Sequence, residues 1–178
     1  MRTWLPLRWF LILQCVSTSQ RNFRIVIDYV NTKIIDRDLV DNLGCQVSQI
    51  NNRSYINCQM LLNRQLEKVS VRTELFFWKP NGQSMKLFDA RLDACLLMGT
   101  FHKNRFLNMY SKNFKRFSNL ECPLKANFNY TLERLYMDEQ DFPSFVPSGT
   151  FRCQSEFFEN ETFVGTRVIV HGKVQPKL

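Results

Sequence analysis

Histidine is nearly absent: His102 and His171 are the only two in 178 residues. That leaves little for metal binding or acid–base chemistry. No two cysteines stand in C-x-x-C spacing, which argues against a zinc site or a thioredoxin-like redox pair. No Gly-rich phosphate loop is present. Six Gly and six Pro leave no room for long linkers, and neither an internal repeat nor a low-complexity tract appears. No apolar run reaches the roughly 20 residues that span a bilayer. Acidic residues are missing from one long stretch, between Asp93 and Glu121.

What remains is rich in rings and positive charge. The chain carries 16 Phe and a net charge of +8. With 44% hydrophobic and 22% charged residues, it is neither disordered nor collagen-like. Its length suits one domain with a real core.

The N-terminus reads as an address. Arg2 and Arg8 accompany an apolar stretch that is densest from Trp9 to Leu13, and Ser17, Thr18 and Ser19 follow. A basic start, a short apolar run and a small-residue exit mark a secretory signal peptide. The expected division is therefore a signal at 1–19 and one secreted domain at 20–178. Three Asn-x-Ser/Thr acceptors, at Asn52, Asn129 and Asn160, agree with an extracellular, glycosylated protein. Removing the leader takes Cys15 and leaves Cys45, Cys58, Cys95, Cys122 and Cys153. In a secreted domain these mostly form disulfides, and an odd number leaves one free or paired between chains.

Alternating segments predict strands. Phe23, Ile25, Ile27 and Tyr29 share one face of the first. Two more, Cys45 to Ile50 and Tyr55 to Leu62, flank the turn residues Asn51 and Asn52. A two-residue loop there sets Val47 opposite Ile56 and Cys45 opposite Cys58, a register that offers a cross-strand disulfide; a longer loop would shift it. Val69–Trp78, Met85–Asp93, Leu124–Leu132, Thr150–Phe158 and Thr162–His171 complete the set. Many short alternating strands with turn signals predict a mainly β fold, a two-sheet antiparallel β-sandwich.

One segment differs. From Asn104 to Ser118, Phe106, Tyr110, Phe114 and Phe117 recur at helical spacing. Lys103, Arg105, Lys112, Lys115 and Arg116 make this a short basic amphipathic helix. Its charges are either a solvated face or a contact for an anionic membrane surface, acidic partner or receptor.

Catalytic groups do not assemble. A thiol nucleophile needs Cys95 or Cys153 beside a histidine, but the secreted context favours a disulfide for Cys95. Asp89 and Asp93 share a strand face with Arg91 between them, which reads as a solvated surface rather than an acid–base pair. No enzyme, cofactor, metal or nucleic-acid partner is expected.

Four elements recur in a known order: Cys45 with Cys58; Asp93-Ala94-Cys95; Ser118-Asn119-Leu120-Glu121-Cys122-Pro123; and Pro147-Ser148-Gly149-Thr150-Phe151. This combination resembles a large insect-specific family of small secreted proteins related to the CheB chemosensory group. More remotely it is similar to the ML (ganglioside-activator-like) lipid-recognition fold. The resemblance runs from Phe23 to His171. It implies an ML/immunoglobulin-like sandwich with a hydrophobic pocket between its sheets. It also implies bridges Cys45–Cys58 and Cys95–Cys122, the second bracketing the basic helix. Cys153 has no counterpart in that pattern.

Inward positions of the long strands, Val71, Leu75, Phe77, Phe128, Tyr130, Phe151, Phe157 and Val168, are the candidate pocket walls; plain core packing would use the same residues. The expected function is a secreted, non-enzymatic carrier or presenter of a hydrophobic ligand: a lipid, fatty acid, sterol or hydrocarbon pheromone, in the chemosensory setting the resemblance implies. The alternative is a secreted interaction module with a solid core, binding an acidic partner or receptor through its helix.

Overall fold

A computed structural model describes residues 21–99, 105–159 and 163–177. The expected signal peptide and Asn160 lie outside the described residues. Eight strands form two antiparallel sheets. They are β1 (Phe23–Ile34), β2 (Val40–Ile50), β3 (Arg53–Leu62), β4 (Val69–Trp78), β5 (Ser84–Asp93), β6 (Asn129–Leu135), β7 (Gly149–Glu159) and β8 (Phe163–Pro176). The larger sheet runs β1-β8-β7-β4-β5 and the smaller β2-β3-β6. The fold is thus mainly β, as the alternation predicts.

The tightest turn follows from two asparagines. Asn51 and Asn52 hold φ values of 49° and 62°, the left-handed pair that a two-residue hairpin loop requires and asparagine tolerates. The register is the one that loop sets: Ile50 opposes Arg53, Val47 opposes Ile56 and Cys45 opposes Cys58.

β6 begins later than the alternation predicts. Leu124 is claimed by an isolated bridge to Leu66, with N–H···O distances of 2.8 and 2.9 Å in the two directions. Asn127 then turns the chain at φ 55° and donates its N–H to the Leu62 carbonyl at 2.8 Å. The alternating frame from Leu124 is broken there, and Phe128 falls outside the strand.

Among the described residues two α-helices stand where the sequence predicts one: α1 (Ala94–Gly99) and α2 (Arg105–Phe117). The missed one is capped by Asp93, whose Oδ1 accepts the Leu96 N–H at 2.9 Å. An aspartate just before Ala94, Leu96 and Leu97 is an N-cap signal. The α2 end is closed by Ser118, whose hydroxyl donates to the Phe114 carbonyl at 2.7 Å.

Side chains join the two sheets near β1. Ser54 Oγ accepts the Ile27 N–H at 2.9 Å and donates to Gln49 Oε1 at 2.9 Å. Gln49 Nε2 in turn donates to the Ile27 carbonyl at 2.8 Å. On the free edge of β1, the Ile27 N–H and C=O are thereby satisfied by the β2–β3 hairpin. Ser54→Ala is expected to destabilise by about 1–3 kcal/mol, because it orphans a buried N–H. Urea unfolding of the pair of proteins checks this, with an unchanged midpoint as the contrary result.

The buried core is divided. One cluster gathers Phe23, Ile25, Ile27, Ile56, Phe77, Leu132, Phe151 and Val174. The other gathers Leu39, Val40, Leu62, Leu66, Val69, Leu124 and Tyr130. Each cluster lines mainly its own chamber of a cavity between the sheets.

Candidate functional site

Two adjoining chambers open between the sheets, of about 410 Å³ and about 250 Å³. They share a boundary made by Ile56, Val71, Leu97, Tyr110, Phe114, Leu135, Met137 and Cys153. The α2 stripe supplies the rings of that boundary: Tyr110 and Phe114 pack with centroids 4.8 Å apart. Phe117 packs edge-on against Tyr136 at 5.4 Å. The aromatic spacing that predicts a helix therefore also places rings in the cavity.

The predicted walls divide between the chambers. Val71 lines both; Leu75, Phe77 and Phe151 line the larger; Tyr130, Phe157 and Val168 line the smaller. Phe128 lines neither. It is 41% exposed and lies against the outer side of Tyr130, ring centroids 4.8 Å apart. Asn127 has already turned the chain before it, so the alternation that put Phe128 beside Tyr130 does not hold. Sequence reasoning did not assign Leu97, Leu135 or Met137 to the wall. Leu97 is carried by the unforeseen α1, and β6 runs on to Leu135 past its expected end. Leu87 marks the solvent side of the larger chamber, at 54% exposure.

The walls hold almost no charge. Among the described residues, no Lys, Arg, His, Asp or Glu lines the larger chamber, and Glu159 alone lines the smaller. Glu159 is ion-paired with Arg64, whose hydrogen bond holds the carboxyl below its ordinary range. Polar side chains do occur: Thr73, Tyr110, Asn113, Tyr136 and Cys153 in the larger chamber, and Gln59, Tyr110, Ser111, Tyr130, Thr131, Cys153, Ser155 and Thr166 in the smaller. Burial pushes the Cys153 thiol from its ordinary 9.0 up to about 11, and it pushes the Tyr110 phenol up as well. Both stay neutral at neutral pH.

The structure joins Cys45 to Cys58 and Cys95 to Cys122, and leaves Cys153 as a free thiol. The Cys95–Cys122 bridge ties α1 to the segment after α2, so both ends of the Tyr110–Phe114 insertion are anchored. Lys112, Lys115 and Arg116 are exposed on α2. Lys103 and the Arg105 side chain lie outside the described residues. Asn52 and Asn129 are exposed, at the hairpin turn and the start of β6. Asp89 is held by Arg72 and Lys86, each at 3.0 Å, which lower its pKa well below the usual carboxylate range. With Asp93 engaged as the α1 cap, the two carboxylates form no acid–base pair. Among the described residues, no group of three or more His, Cys, Asp or Glu is placed to hold a metal. No described helix is long and apolar enough to cross a membrane.

One family model matches part of the chain. Residues 71–153 fit the family described as "Protein of unknown function (DUF1091)". The matched stretch begins and ends on chamber residues, Val71 and Cys153. No curated protein matches the sequence. Among solved structures, the fold is similar to chicken MD-1 complexed with lipid IVa, at 10% identity and a TM-score of 0.41, covering 88% of this chain and 99% of that one. It is also similar to a Niemann-Pick type C2 protein from Japanese carpenter ant, at 11% identity and a TM-score of 0.38, covering 79% and 96%.

Proposed function

We propose that this protein is a secreted, non-enzymatic carrier or presenter of a hydrophobic ligand, working in chemosensation. The observation that carries the reading is the pair of chambers, whose described walls are mostly apolar side chains with no unpaired charge. Concave apolar sites with few polar groups take apolar ligands. Each buried CH₂ contributes about 0.8 kcal/mol, so an alkyl chain needs few polar contacts to bind. A lipid, fatty acid, sterol or hydrocarbon pheromone all answer that description. Secretion follows from the leader at 1–19 and accords with two disulfides. Asn52, Asn129 and Asn160 are the glycan acceptors in this reading.

Native mass spectrometry of protein secreted from insect cells tests it, beside an organic extract of the same sample. The expected result is a defined added mass that extraction removes. A clean apo mass, with no uptake from a mixed lipid panel, overturns the reading.

A second reading has its own observation. Lys112, Lys115 and Arg116 are exposed on a helix that carries no acid, a face for an anionic membrane or an acidic receptor. Replacing Lys112, Lys115 and Arg116 together by Glu is expected to weaken binding to phosphatidylserine vesicles by more than tenfold at low salt. Binding that persists unchanged and ignores added salt excludes an electrostatic role for the helix.

A further inference from the structure

One polar cluster of the walls lies where the two chambers meet. Thr73 and Ser155 oppose each other across β4 and β7, with their buried hydroxyl oxygens 3.1 Å apart. The bond uses only one of the pair's two hydroxyl protons, since one oxygen donates and the other accepts. The accepting hydroxyl keeps its own proton for another acceptor.

The position of the cluster matters as much as its count. Tyr110 and Cys153 line both chambers, Thr73 only the larger and Ser155 only the smaller. The polar groups thus sit at the junction, with apolar space on either side. Among the described residues no cation lines either chamber, and burying an unpaired carboxylate costs far more than one neutral hydrogen bond returns.

We propose that Thr73, Tyr110, Cys153 and Ser155 form a recognition point for a neutral carbonyl in mid-chain, such as that of a long-chain ester or ketone, whose two hydrocarbon arms occupy the two chambers. The proposal rests on the carrier reading and names the ligand class within it. It ranks neutral, internally oxygenated chains above both plain hydrocarbons and free fatty acids.

The test is competition. Delipidated protein is offered equal amounts of dodecyl dodecanoate, pentacosane and pentacosanoic acid, all of the same chain length, at neutral pH, and occupancy is read by native mass spectrometry. The ester is expected to exceed the alkane by roughly tenfold, the worth of one buried hydrogen bond, with the acid below the ester. Tyr110→Phe and Thr73→Val are each expected to bring the ester-to-alkane ratio down toward one. Equal ester and alkane uptake by the unaltered protein overturns this proposal and leaves the carrier reading standing, as does a preference for the acid. Uptake of none of the three overturns both. Should either variant fail to fold, the ranking on the unaltered protein still decides.

Discussion

Removing the Cys95–Cys122 bridge, by replacing both cysteines with Ser, is expected to lower stability by about 3–4 kcal/mol and empty the cavity. The stability figure follows from the 27-residue separation of the pair, which the cross-link denies to the unfolded chain as loop entropy. In a domain of this size that is a fall in Tm on the order of 10 °C. The functional loss has a separate cause. Tyr110 and Phe114 stand between the sheets because both ends of their helix are fixed. Freed at one end, α2 exchanges its place for solvent-exposed states, and the boundary of the two chambers goes with it. The Cys45–Cys58 bridge is the control. It closes a separation of only 13 residues, across a hairpin already paired along its length. Its loss is expected to cost less stability and, since Cys45 and Cys58 line only the smaller chamber, to lower ligand occupancy less than loss of the Cys95–Cys122 bridge does. Differential scanning calorimetry with native mass spectrometry on both variants checks the contrast. Equal occupancy in the two would mean that α2 is held by its packing alone.

How far the sequence carries this architecture depends on the kind of signal. Period-two alternation is a local property, and it located β4 from Val69 to Trp78 without error. The turn at Asn51 and Asn52 went further, because a two-residue loop fixes register over a whole hairpin. Alternation fails where the backbone changes frame. Asn127 adopts a left-handed conformation to bond Leu62, a long-range event with no local mark, and Phe128 was misassigned as a result. The α1 helix was legible through its Asp93 cap but was hidden by the strand immediately before it. The free space itself was not legible. Val71, Leu75 and Phe77 look the same in a packed core and in a chamber wall, since both need inward apolar residues. Only the spacing of the sheets, with α2 inserted between them, tells the two apart.

That distinction gives the sharpest test of the site. Cys153→Phe adds a ring at the junction of the chambers, where Cys153 faces both. In a close-packed core such an insertion forces neighbours off their rotamers and costs about 1–3 kcal/mol. In a chambered core the ring enters empty volume, buries apolar surface and changes stability by less than about 1 kcal/mol. The ligand then meets a filled junction. Occupancy by any long alkyl chain is expected to fall by more than roughly tenfold, since even two lost CH₂ contacts at about 0.8 kcal/mol each exceed a factor of ten. The two readings of this protein thus diverge on one variant. Unchanged stability with lost uptake belongs to a carrier with an open cavity. A destabilised protein that never took up lipid belongs to a solid-core interaction module, and its binding energy must then reside on the surface of α2. Retained uptake in a stable variant would place the ligand away from Cys153 and overturn the assignment of the junction.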